Sequence, residues 1–531
     1  MALGKRAVIL GGSIAGMCAA GAVAPYFDEV LLLERDIIPD DAEHRRGIPQ
    51  SKHPHFLLNS GRRAMDNLFP GFEDALLDAG GLHMMASLAA AHCEGEYWVP
   101  RKEAPMTMVY ASRLLIERTL RDQLANVPNI RVEEGVSVAG LEIVNGGQPG
   151  GRVTGVWAVG GDEGGRERRL IEADFVVDTL GRGSAVSEWL VQAGWPEARV
   201  QSLDAGVTYV SRWYQKPADL PDEWWWAQMS VMPTADSKPH PIEHDFLCQI
   251  FPIEGDRVLV TMGSWGHPMP RKEDEFIETV RKVRAPAFAR AVEQCEPLSK
   301  VFVTKSTGNR RKRYDELETP PGGLVVIGDA VCGFNPFYAQ GMSSAAKSSV
   351  LLREKLAAAD SVDGAFAKDY FGAQRKLLDE IWTLALARDQ GYANAEGTDI
   401  APPWRQKLAY RAAWPLFNFI SATTREDAVV GQHFADVFNL DESVTTMVKS
   451  PRVLAGFAWF GLKKLFGRTK LPKGTDNQLD PPSDIWRDWK PTPGGRALLI
   501  PKGTPVEDIP SVSSAAPAIA STVASDQATA V

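Results

Sequence analysis

The sequence predicts an α/β protein in which a parallel sheet is interleaved with an antiparallel one and followed by helices. Three observations lead to this prediction. Short apolar strands run into glycine-bearing turns at three places that lie far apart in the chain. Between the second and third of them, strand-like runs follow one another through short turns. Beyond about residue 361, apolar residues recur at helical spacing.

Composition places the chain among ordinary soluble proteins. It has 531 residues, 44% of them hydrophobic and 24% charged, a length that predicts two domains and an appendage. The net charge of −9 argues against nucleic acid as a partner. Five scattered cysteines without a CxxC pair indicate neither disulfides nor a metal site, and they favour a reducing, cytoplasmic location. No apolar run is long enough to predict a transmembrane helix.

The first glycine-bearing segment begins at the amino terminus. Residues 6–10 read as a buried strand, residues 14–23 as a helix of small side chains, and residues 29–34 as a second strand. Gly11 permits the tight turn, Gly16 lets the helix approach the strand, and the first amides of the helix face a pyrophosphate. Glu34 is placed to accept hydrogen bonds from a ribose. Ser13 replaces the usual second glycine, so the motif alone predicts a nucleotide but not which one.

The second and third segments extend the pattern. Residues 171–178 read as a strand that ends in the turn Thr179 to Ser184, where Asp178 and Ser184 are expected to cap the backbone. A buried strand at 323–327 ends at Gly328 and Asp329, and residues 341–352 then read as a helix of small residues. Asp329 is suited to bind a ribityl hydroxyl, and the start of the helix to bind the pyrimidine edge of a flavin. Three such segments in this order predict FAD extended along one domain.

These segments, at these spacings, resemble the FAD-dependent monooxygenases of the aromatic-hydroxylase (group A) type over residues 5–360. Residues 46–50 with His53 and His55, followed by residues 335–342, look most like bacterial FAD-dependent epoxidases of polyether pathways. The resemblance implies a Rossmann-like FAD-binding domain of the GR2 type. It also implies use of NAD(P)H and O2 to form a flavin C4a-hydroperoxide, which transfers one oxygen atom to an alkene or an aromatic ring.

The resemblance also assigns further residues to the cofactor. It places Arg113 near the FAD phosphates and Arg46 in a loop close to the flavin. Residues 130–138 read as one strand, and the resemblance places the backbone of Val136 on that strand at the adenine. The complete set of predicted cofactor-binding residues is Gly11, Ser13, Ala15, Gly16, Glu34, Arg35, Arg46, Arg113, Val136, Asp329, Pro336, Gly341 and Met342. Cys332 stands where many aromatic hydroxylases have histidine, which weakens a simple phenol-hydroxylase assignment.

The middle of the chain is expected to hold the substrate. Strand-like runs at 206–214, 226–232, 246–252 and 257–263 predict an antiparallel sheet over the flavin, joined by the insertion 83–110. Trp224, Trp225 and Trp226 belong either to the core of this sheet or to a wide apolar cavity for a polyketide, terpenoid or aromatic substrate. They lack the alternation and the following Ile-Pro of the tryptophan motif of flavin halogenases, so a halogenase is disfavoured.

Oxygen transfer from a flavin requires positioning and exclusion of water, and no protein nucleophile. A phenol hydroxylase would benefit from a base, and the candidates are His53, His55, His92, His240, His244 and Tyr338. No pair among them is spaced so as to identify itself, so no catalytic residue is predicted. Electrons come either from NAD(P)H bound transiently, since no second nucleotide motif is evident, or from a separate reductase. A homodimer is compatible with the sequence.

Two other functions are compatible with the same motifs. An isoprenoid or alkene reductase has a similar fold but needs no oxygen. A flavin-fold lipid carrier would be colourless, and the presence of both Glu34 and Asp329 argues against it.

The expected layout interleaves the two domains. The FAD-binding domain takes residues 1–80, 111–200 and 306–360, and the substrate domain takes the insertion 81–110 and residues 201–305. A helical region (361–470) and an extended or disordered tail (471–531) follow. Residues 455–468 predict a helix that packs on the protein, with weak contact to a membrane surface as the alternative.

Overall fold

The computed structural model describes residues 2–94, 97–99, 107–161, 167–220, 224, 226–233, 246–305, 307–390, 392, 394–398 and 403–469. The predicted tail 471–531, His240, His244 and Trp225 lie outside the described residues. None of the helices in the described ranges has both the length and the apolar character needed to cross a membrane.

The strands, in chain order, are β1 (Gly4–Leu10), β2 (Phe27–Leu33), β3 (Leu82–Met84), β4 (Ala90–Glu94), β5 (Tyr97–Trp98), β6 (Met108–Tyr110), β7 (Ile130–Glu133), β8 (Val136–Val144), β9 (Arg152–Gly160), β10 (Arg168–Glu172), β11 (Phe175–Asp178), β12 (Val200–Asp204), β13 (Val207–Gln215), β14 (Gln228–Val231), β15 (Leu247–Ile253), β16 (Arg257–Trp265), β17 (Glu296–Pro297), β18 (Phe302–Thr304), β19 (Asn309–Lys312), β20 (Leu324–Val326), β21 (Cys332–Gly333) and β22 (Glu396–Gly397).

The helices are α1 (Ile14–Val23), α2 (Asn59–Leu68), α3 (Phe72–Asp78), α4 (Ala86–Ala89), α5 (Arg113–Ala125), α6 (Val186–Gln192), α7 (Glu273–Arg281), α8 (Pro286–Glu293), α9 (Gly341–Ala357), α10 (Gly364–Asp389), α11 (Pro403–Glu426), α12 (Ala428–Phe438), α13 (Val444–Lys449) and α14 (Pro451–Leu465). Short 3-10 turns at Gly181–Gly183, Gly328–Ala330 and Pro336–Tyr338 lie near the site described below.

A parallel sheet with the strand order β20-β11-β1-β2-β7 forms the centre of the first domain. Its strands come from widely separated parts of the chain, as the three glycine-bearing segments predict. Residues 7–10 of β1 and 30–33 of β2 are buried on both faces, which is typical of parallel sheets covered by helices. On one face, the small residues of α1 pack against those of α9.

Two strands predicted from the sequence are divided in the structure. The run 171–178 is split because the Asp174 carboxylate accepts hydrogen bonds from the amides of Lys5 (2.6 Å) and Arg6 (3.0 Å). The chain thereby leaves the antiparallel sheet β8-β9-β10 and enters the parallel sheet as β11. The run 130–138 is split at Gly135, where φ is +69°, into β7 and β8. The prediction of one continuous strand is wrong at both places.

The predicted antiparallel sheet is confirmed and has the order β17-β13-β16-β15-β14-β4-β5, with β18 also paired to β13. We call it the substrate sheet. Its pairs are antiparallel except that of β14 with β4, which belongs to the insertion before α5. Residues alternate between an inner face, which packs toward the parallel-sheet domain, and an outer face covered by α7 and α8.

The carboxyl-terminal region is helical, as predicted. Helix α10 packs along α9 and ends at Asp389. The last helix, α14, buries Val453 and Phe460 against its neighbours, while Trp459 is 60% exposed and Leu465 78% exposed. Packing on the protein is therefore observed for one side of the predicted helix, and membrane contact of the other side stays a prediction.

Candidate active site

Three strand ends meet at one edge of the parallel sheet. Leu10 at the end of β1 pairs with Asp178 at the end of β11, and Asp178 pairs with Val326 of β20. Each strand leads into one of the three glycine-bearing turns. Since carboxyl ends of parallel strands share an edge, the turns form the rim of a single site. The convergence of the three segments, which the sequence predicts, is confirmed.

The turn after β1 is tightly packed. Gly11 has φ +99°, which favours glycine. A Cβ at Gly16 would lie 1.8 Å from the carbonyl oxygen of Gly11 and 2.9 Å from Thr179 Oγ1, so no larger residue fits there. The Thr179 hydroxyl donates to the Leu10 carbonyl (2.7 Å). The second segment therefore supports the first one directly.

The start of α1 suits an anion, because its amides are not capped by Ser13 and a guanidinium lies beside it. Ser13 is the residue that precedes the helix, and its side chain does not cap the helix amides. Instead its Oγ accepts a hydrogen bond from Arg113 Nη2 (2.9 Å). Arg113 is the first residue of α5, which Ser112 caps, and it is buried beside Glu117 at 3.4 Å. Burial lowers the pKa of its guanidinium, and Glu117 opposes this shift.

Glu34 follows β2 and is buried. Its Oε2 accepts the amide of Gly12 (2.7 Å), and its Oε1 accepts the amide of Asp36 (2.9 Å). The neighbouring strand is tied to the same place, because the Val136 amide donates to the Glu34 carbonyl (2.8 Å). Arg35, in contrast, is exposed at the end of the strand.

Arg45 is a residue of the site that the sequence did not predict. The predicted residue, Arg46, lies on the exposed side of the loop, whereas the Arg45 side chain is 6% exposed. Arg45 contacts Glu34 (3.1 Å), Asp36 (3.2 Å) and Glu117 (2.7 Å). Burial opposes its charge, but the carboxylates of Glu117 and Glu34 raise the pKa of the guanidinium.

Arg45 also donates to the Gly12 carbonyl (3.1 Å), so it joins the first turn, the end of β2 and α5. Because these contacts come from separate parts of the chain, no local sequence signal distinguishes Arg45 from its neighbour.

The second segment behaves as predicted and supplies one further residue. Asp178 Oδ1 accepts the Leu180 amide (3.0 Å), and Oδ2 accepts the Ser184 hydroxyl (2.5 Å). Complete burial raises the pKa of Asp178 to about 6. Arg182, which the sequence analysis did not select, donates to the carbonyls of Gly308 (2.6 Å) and Phe334 (2.7 Å).

The third segment lies directly against the first. A Cβ at Gly328 would lie 2.9 Å from the Cβ of Ala15, so this turn touches the first turn of α1. Asp329 follows, with its side chain 43% exposed and 3.5 Å from Arg182 Nε. Surrounding protein nevertheless raises its pKa through desolvation, as expected for a carboxylate in a cleft, while the Arg182 charge opposes the shift. A Cβ at Gly341 would lie 3.8 Å from Asp329 Oδ1.

A tight turn connects the third segment to α9. Pro336 is exposed, Ala339 adopts φ +55°, and α9 begins at Gly341 with Met342 buried beside it. The Oε1 atom of Gln340 is buried and has no hydrogen-bond partner among the described residues. A buried acceptor that lacks a donor is costly, so a bound group with an N–H would satisfy it.

The residues that are present fit an extended flavin dinucleotide. The rim offers helix amides and Arg113 for a pyrophosphate, Glu34 for a ribose, Asp329 for a ribityl chain and the start of α9 for a ring. The close approach of Gly328 to Ala15 places the third turn directly beside the start of α1, so the features from the first and third segments are adjacent. In the described residues, no cluster of His, Cys, Asp or Glu is suited to hold a metal ion.

Aromatic residues of the inner face cover the ring end of this cleft. The Phe337 ring lies 5.4 Å from Tyr209 and 5.1 Å from Trp265, measured between ring centroids. It occupies a notch over Gly263, where a Cβ would lie 1.7 Å from Phe337 Cζ. The turn before α9 is thus fitted into the substrate sheet by a glycine of that sheet.

A row of polar residues crosses the inner face from strand to strand. Its members pair in register across five strands, and the residues beside them on each strand point to the outer face. They are Ser211, Thr261, Gln249, Ser230 and His92. Apolar residues flank the row, so the sheet presents a polar line within an apolar surface.

Two histidines, His53 and His55, lie near this row and are neutral. His53 Nδ1 lies 2.8 Å from Ser211 Oγ, which in turn lies 2.8 Å from Thr261 Oγ1. Burial lowers the pKa of His53 to about 3, with Lys52 as a smaller cause. Burial likewise lowers the pKa of His55 to about 3, and its Nδ1 contacts the His53 carbonyl at 2.9 Å.

Trp224 and Trp226, the first and last residues of the triple motif, lie away from the cleft. Trp224 and Trp226 stack at 4.7 Å and belong to the buried cluster on the outer face. Of the two alternatives left open by the sequence, core packing is therefore the one observed for these two residues. Cys332 is buried, and burial raises the pKa of its thiol.

The comparisons with known proteins agree with this architecture. No family model matches the sequence. The chain is 29% identical over 456 residues to Protein Rv3254 of Mycobacterium tuberculosis, a match that covers 84% of this chain and 92% of that protein.

Solved structures share the fold at low sequence identity. The flavin-dependent brominase Bmp2 gives a TM-score of 0.57 at 14% identity, covering 88% of this chain and 100% of that one. The myxobacterial chondrochloren halogenase CndH gives 0.54 at 16%, covering 76% and 86%. 2-Methyl-3-hydroxypyridine-5-carboxylic acid oxygenase gives 0.51 at 16%, covering 72% and 90%. The chain therefore has the mixed α/β fold found in flavin-dependent halogenases and in this oxygenase, and its carboxyl-terminal region contains helices α10 to α14.

Proposed function

We propose that the protein is an FAD-dependent monooxygenase that uses NAD(P)H and O2 to epoxidise or hydroxylate a sizeable, mainly apolar substrate. The observation that carries the proposal is the convergence of the three turns on one cleft, whose ring end is covered by the substrate sheet. The resemblance to polyether-pathway epoxidases makes epoxidation the reaction we favour.

The rim of the parallel sheet supplies the cofactor contacts in this proposal. The amides at the start of α1 and the Arg113 guanidinium would bind the pyrophosphate, and Glu34 would bind a ribose. Asp329 would bind the ribityl chain, and the positive end of the α9 dipole would face the pyrimidine edge of the ring. When bound, FAD would supply the redox chemistry with O2, which no side chain can perform.

The chain itself would orient the substrate and exclude water. The Phe337 ring and its aromatic neighbours form an apolar wall at the ring end of the cleft. Apolar walls keep water from a reactive centre, and a fixed wall holds an alkene in a reactive position. Within the polar row, Ser211, Thr261 and Ser230 are buried, whereas Gln249 and His92 are partly exposed. Gln249 and His92 would bind oxygen-bearing groups of the substrate, which suits a polyketide or an oxygenated aromatic compound better than a pure hydrocarbon.

The state of the histidines favours oxygen transfer to an alkene. With pKa values of about 3, His53 and His55 are bases too weak to hold a proton near pH 7. His53 is also engaged with Ser211, so it serves as a hydrogen-bonding group of the wall. Epoxidation needs no base, whereas hydroxylation of a phenol benefits from one. We therefore assign no catalytic base.

The proposal is tested with the purified holoprotein, NAD(P)H and a panel of alkene-bearing polyketides, terpenoids and phenols. Oxidation of NAD(P)H that requires O2, with one atom of ¹⁸O2 appearing in the product, supports it. Saturation of an alkene without O2 would instead establish the reductase. Colourless protein carrying lipid would establish the carrier, and halide-dependent formation of a halogenated product would establish a halogenase.

A further inference from the structure

A buried carboxylate closes the back of the turn before α9. Asp389 is the last residue of α10 and is 0% exposed. Its Oδ1 accepts hydrogen bonds from Trp265 Nε1 (3.1 Å) and Tyr338 Oη (2.6 Å). Its Oδ2 accepts from Asn309 Nδ2 (3.0 Å) and Asn335 Nδ2 (3.1 Å). All four donors are neutral.

The four donors belong to different parts of the active site. Trp265 ends β16 of the substrate sheet, Asn309 begins β19, and the other two flank Phe337 in the turn. The asparagines are also linked to each other, because the Asn335 amide donates to Asn309 Oδ1 (2.8 Å). Asn335 Oδ1 in turn accepts the amide of Phe337 (3.2 Å). Asp389 therefore joins the turn to the substrate sheet.

We propose that Asp389 is a positioning residue, which fixes the turn carrying Phe337 and Tyr338 against the substrate sheet and so sets where the substrate meets the cofactor ring. The inference rests on the proposed function. Asp389 lies in α10, beyond residue 360, so in this proposal the carboxyl-terminal helical region contributes a residue to the site.

The arrangement suits the ionised form of the carboxylate. Burial raises the pKa of Asp389, and the hydrogen bonds from Tyr338 and its other donors act in the opposite direction. A carboxylate offers two oxygens with about four acceptor positions, and here four donors fill them. A protonated or amide side chain would present a hydrogen to groups that donate to it now, and among the four only the Tyr338 hydroxyl could accept that hydrogen.

For this reason asparagine, which has the same shape, is a poor substitute at position 389. If its NH2 group replaces Oδ2, it faces the NH2 groups of Asn309 and Asn335, whose amides cannot rotate without losing their other bonds. If it replaces Oδ1, it faces the indole N–H of Trp265, which only donates. Either orientation breaks at least one bond and leaves buried groups unsatisfied.

The test compares Asp389→Asn with Asp369→Asn, a matched control on the same helix. The Asp369 side chain is 64% exposed and pairs with Lys355 at 2.7 Å, away from the turn. In the apoprotein, hydrogen exchange of residues 333–342 should become at least about tenfold faster in Asp389→Asn, the factor expected from lost bonds to a charged group. The control should match the wild type.

In the holoprotein, Asp389→Asn should still bind FAD, since the contacts to its pyrophosphate lie elsewhere. The variant should raise KM and reduce product formed per NAD(P)H consumed by about tenfold, with the balance lost as hydrogen peroxide. A role limited to stability would lower the unfolding temperature without changing this ratio. Exchange and coupling equal to those of the control would overturn the inference.

Two further results keep the test decisive. If Asp389→Asn does not fold, Tyr338→Phe removes a single donor and should give smaller changes of the same sign; wild-type behaviour of that variant would overturn the inference. If the wild-type protein binds no FAD, the proposed function fails, while hydrogen exchange in the apoprotein still reports whether Asp389 holds the turn.

Discussion

Acid should destabilise this protein through His53. The residue is 4% exposed, and burial together with the Lys52 charge lowers its pKa from 6.5 to about 3. In the unfolded chain the His53 imidazole has a pKa near 6.5. Below that pH the unfolded state therefore binds a proton, whereas the folded state does not bind it until the pH approaches 3. Stability is therefore fully present above about pH 6.5 and is lost as the pH falls toward 3.

The size of the effect follows from these two pKa values. At pH 5 the unfolded state gains RT ln(1 + 10^1.5), which is about 2 kcal/mol, whereas the folded state gains almost nothing. At pH 7.5 the difference is close to zero. His53→Asn keeps a hydrogen-bonding atom near Ser211 but cannot titrate, so it should lack this part of the pH dependence.

The assay is urea unfolding of the wild type and of His53→Asn at pH 7.5 and pH 5. Between these pH values the wild type should lose about 2 kcal/mol more free energy of unfolding than the variant. Every other group titrates in both proteins, so the difference isolates His53. Equal losses in the two proteins would refute the burial of a neutral imidazole at this position.

Two further substitutions test the site. Gly263→Ala should lower the free energy of unfolding by about 1–3 kcal/mol, because its Cβ would overlap the Phe337 ring. The control is Gly372→Ala. Gly372 lies in α10, and no neighbouring atom lies within 4 Å of the new Cβ, so the free energy of unfolding measured in urea should stay unchanged or rise by up to about 1 kcal/mol. Arg113→Gln should weaken FAD binding about tenfold or more in a fluorescence titration, since it removes the cation beside Ser13; unchanged affinity would contradict the assigned pyrophosphate site.

Local patterns predicted the parts of the fold that depend on local chemistry. Short apolar strands that end near glycine predicted the positions of the three turns. Because the carboxyl ends of parallel strands share one edge of a sheet, the three turns were then expected to lie together. Strand-like runs joined by short turns predicted the substrate sheet, but such runs do not tell which face of the sheet is the inner one. Trp224 and Trp226 belong to the outer cluster because α7 and α8, which lie later in the sequence, cover that face of the sheet.

The residues that were missed are those defined by distant contacts. Arg45 and Arg46 are adjacent in an irregular loop, and three carboxylates, two from the segment after β2 and one from α5, determine which arginine turns inward. Asp389 ends an ordinary helix, and its four donors lie 51 to 124 residues away in sequence. A single aspartate at such a place has no sequence signature, because its function depends on the assembled fold.

The central claim is that one FAD molecule lies along the cleft from the turn at Gly16 to the start of α9. The most direct test is a visible-absorbance titration of the apoprotein with FAD, repeated for Gly16→Val, whose side chain would meet the Gly11 carbonyl. We expect one FAD per wild-type chain and loss of binding in the variant, because the turn must shift to make room for the valine; circular dichroism of the variant checks that the rest of the fold is kept. A wild type that binds no FAD, or a folded variant that binds FAD equally well, would contradict the account.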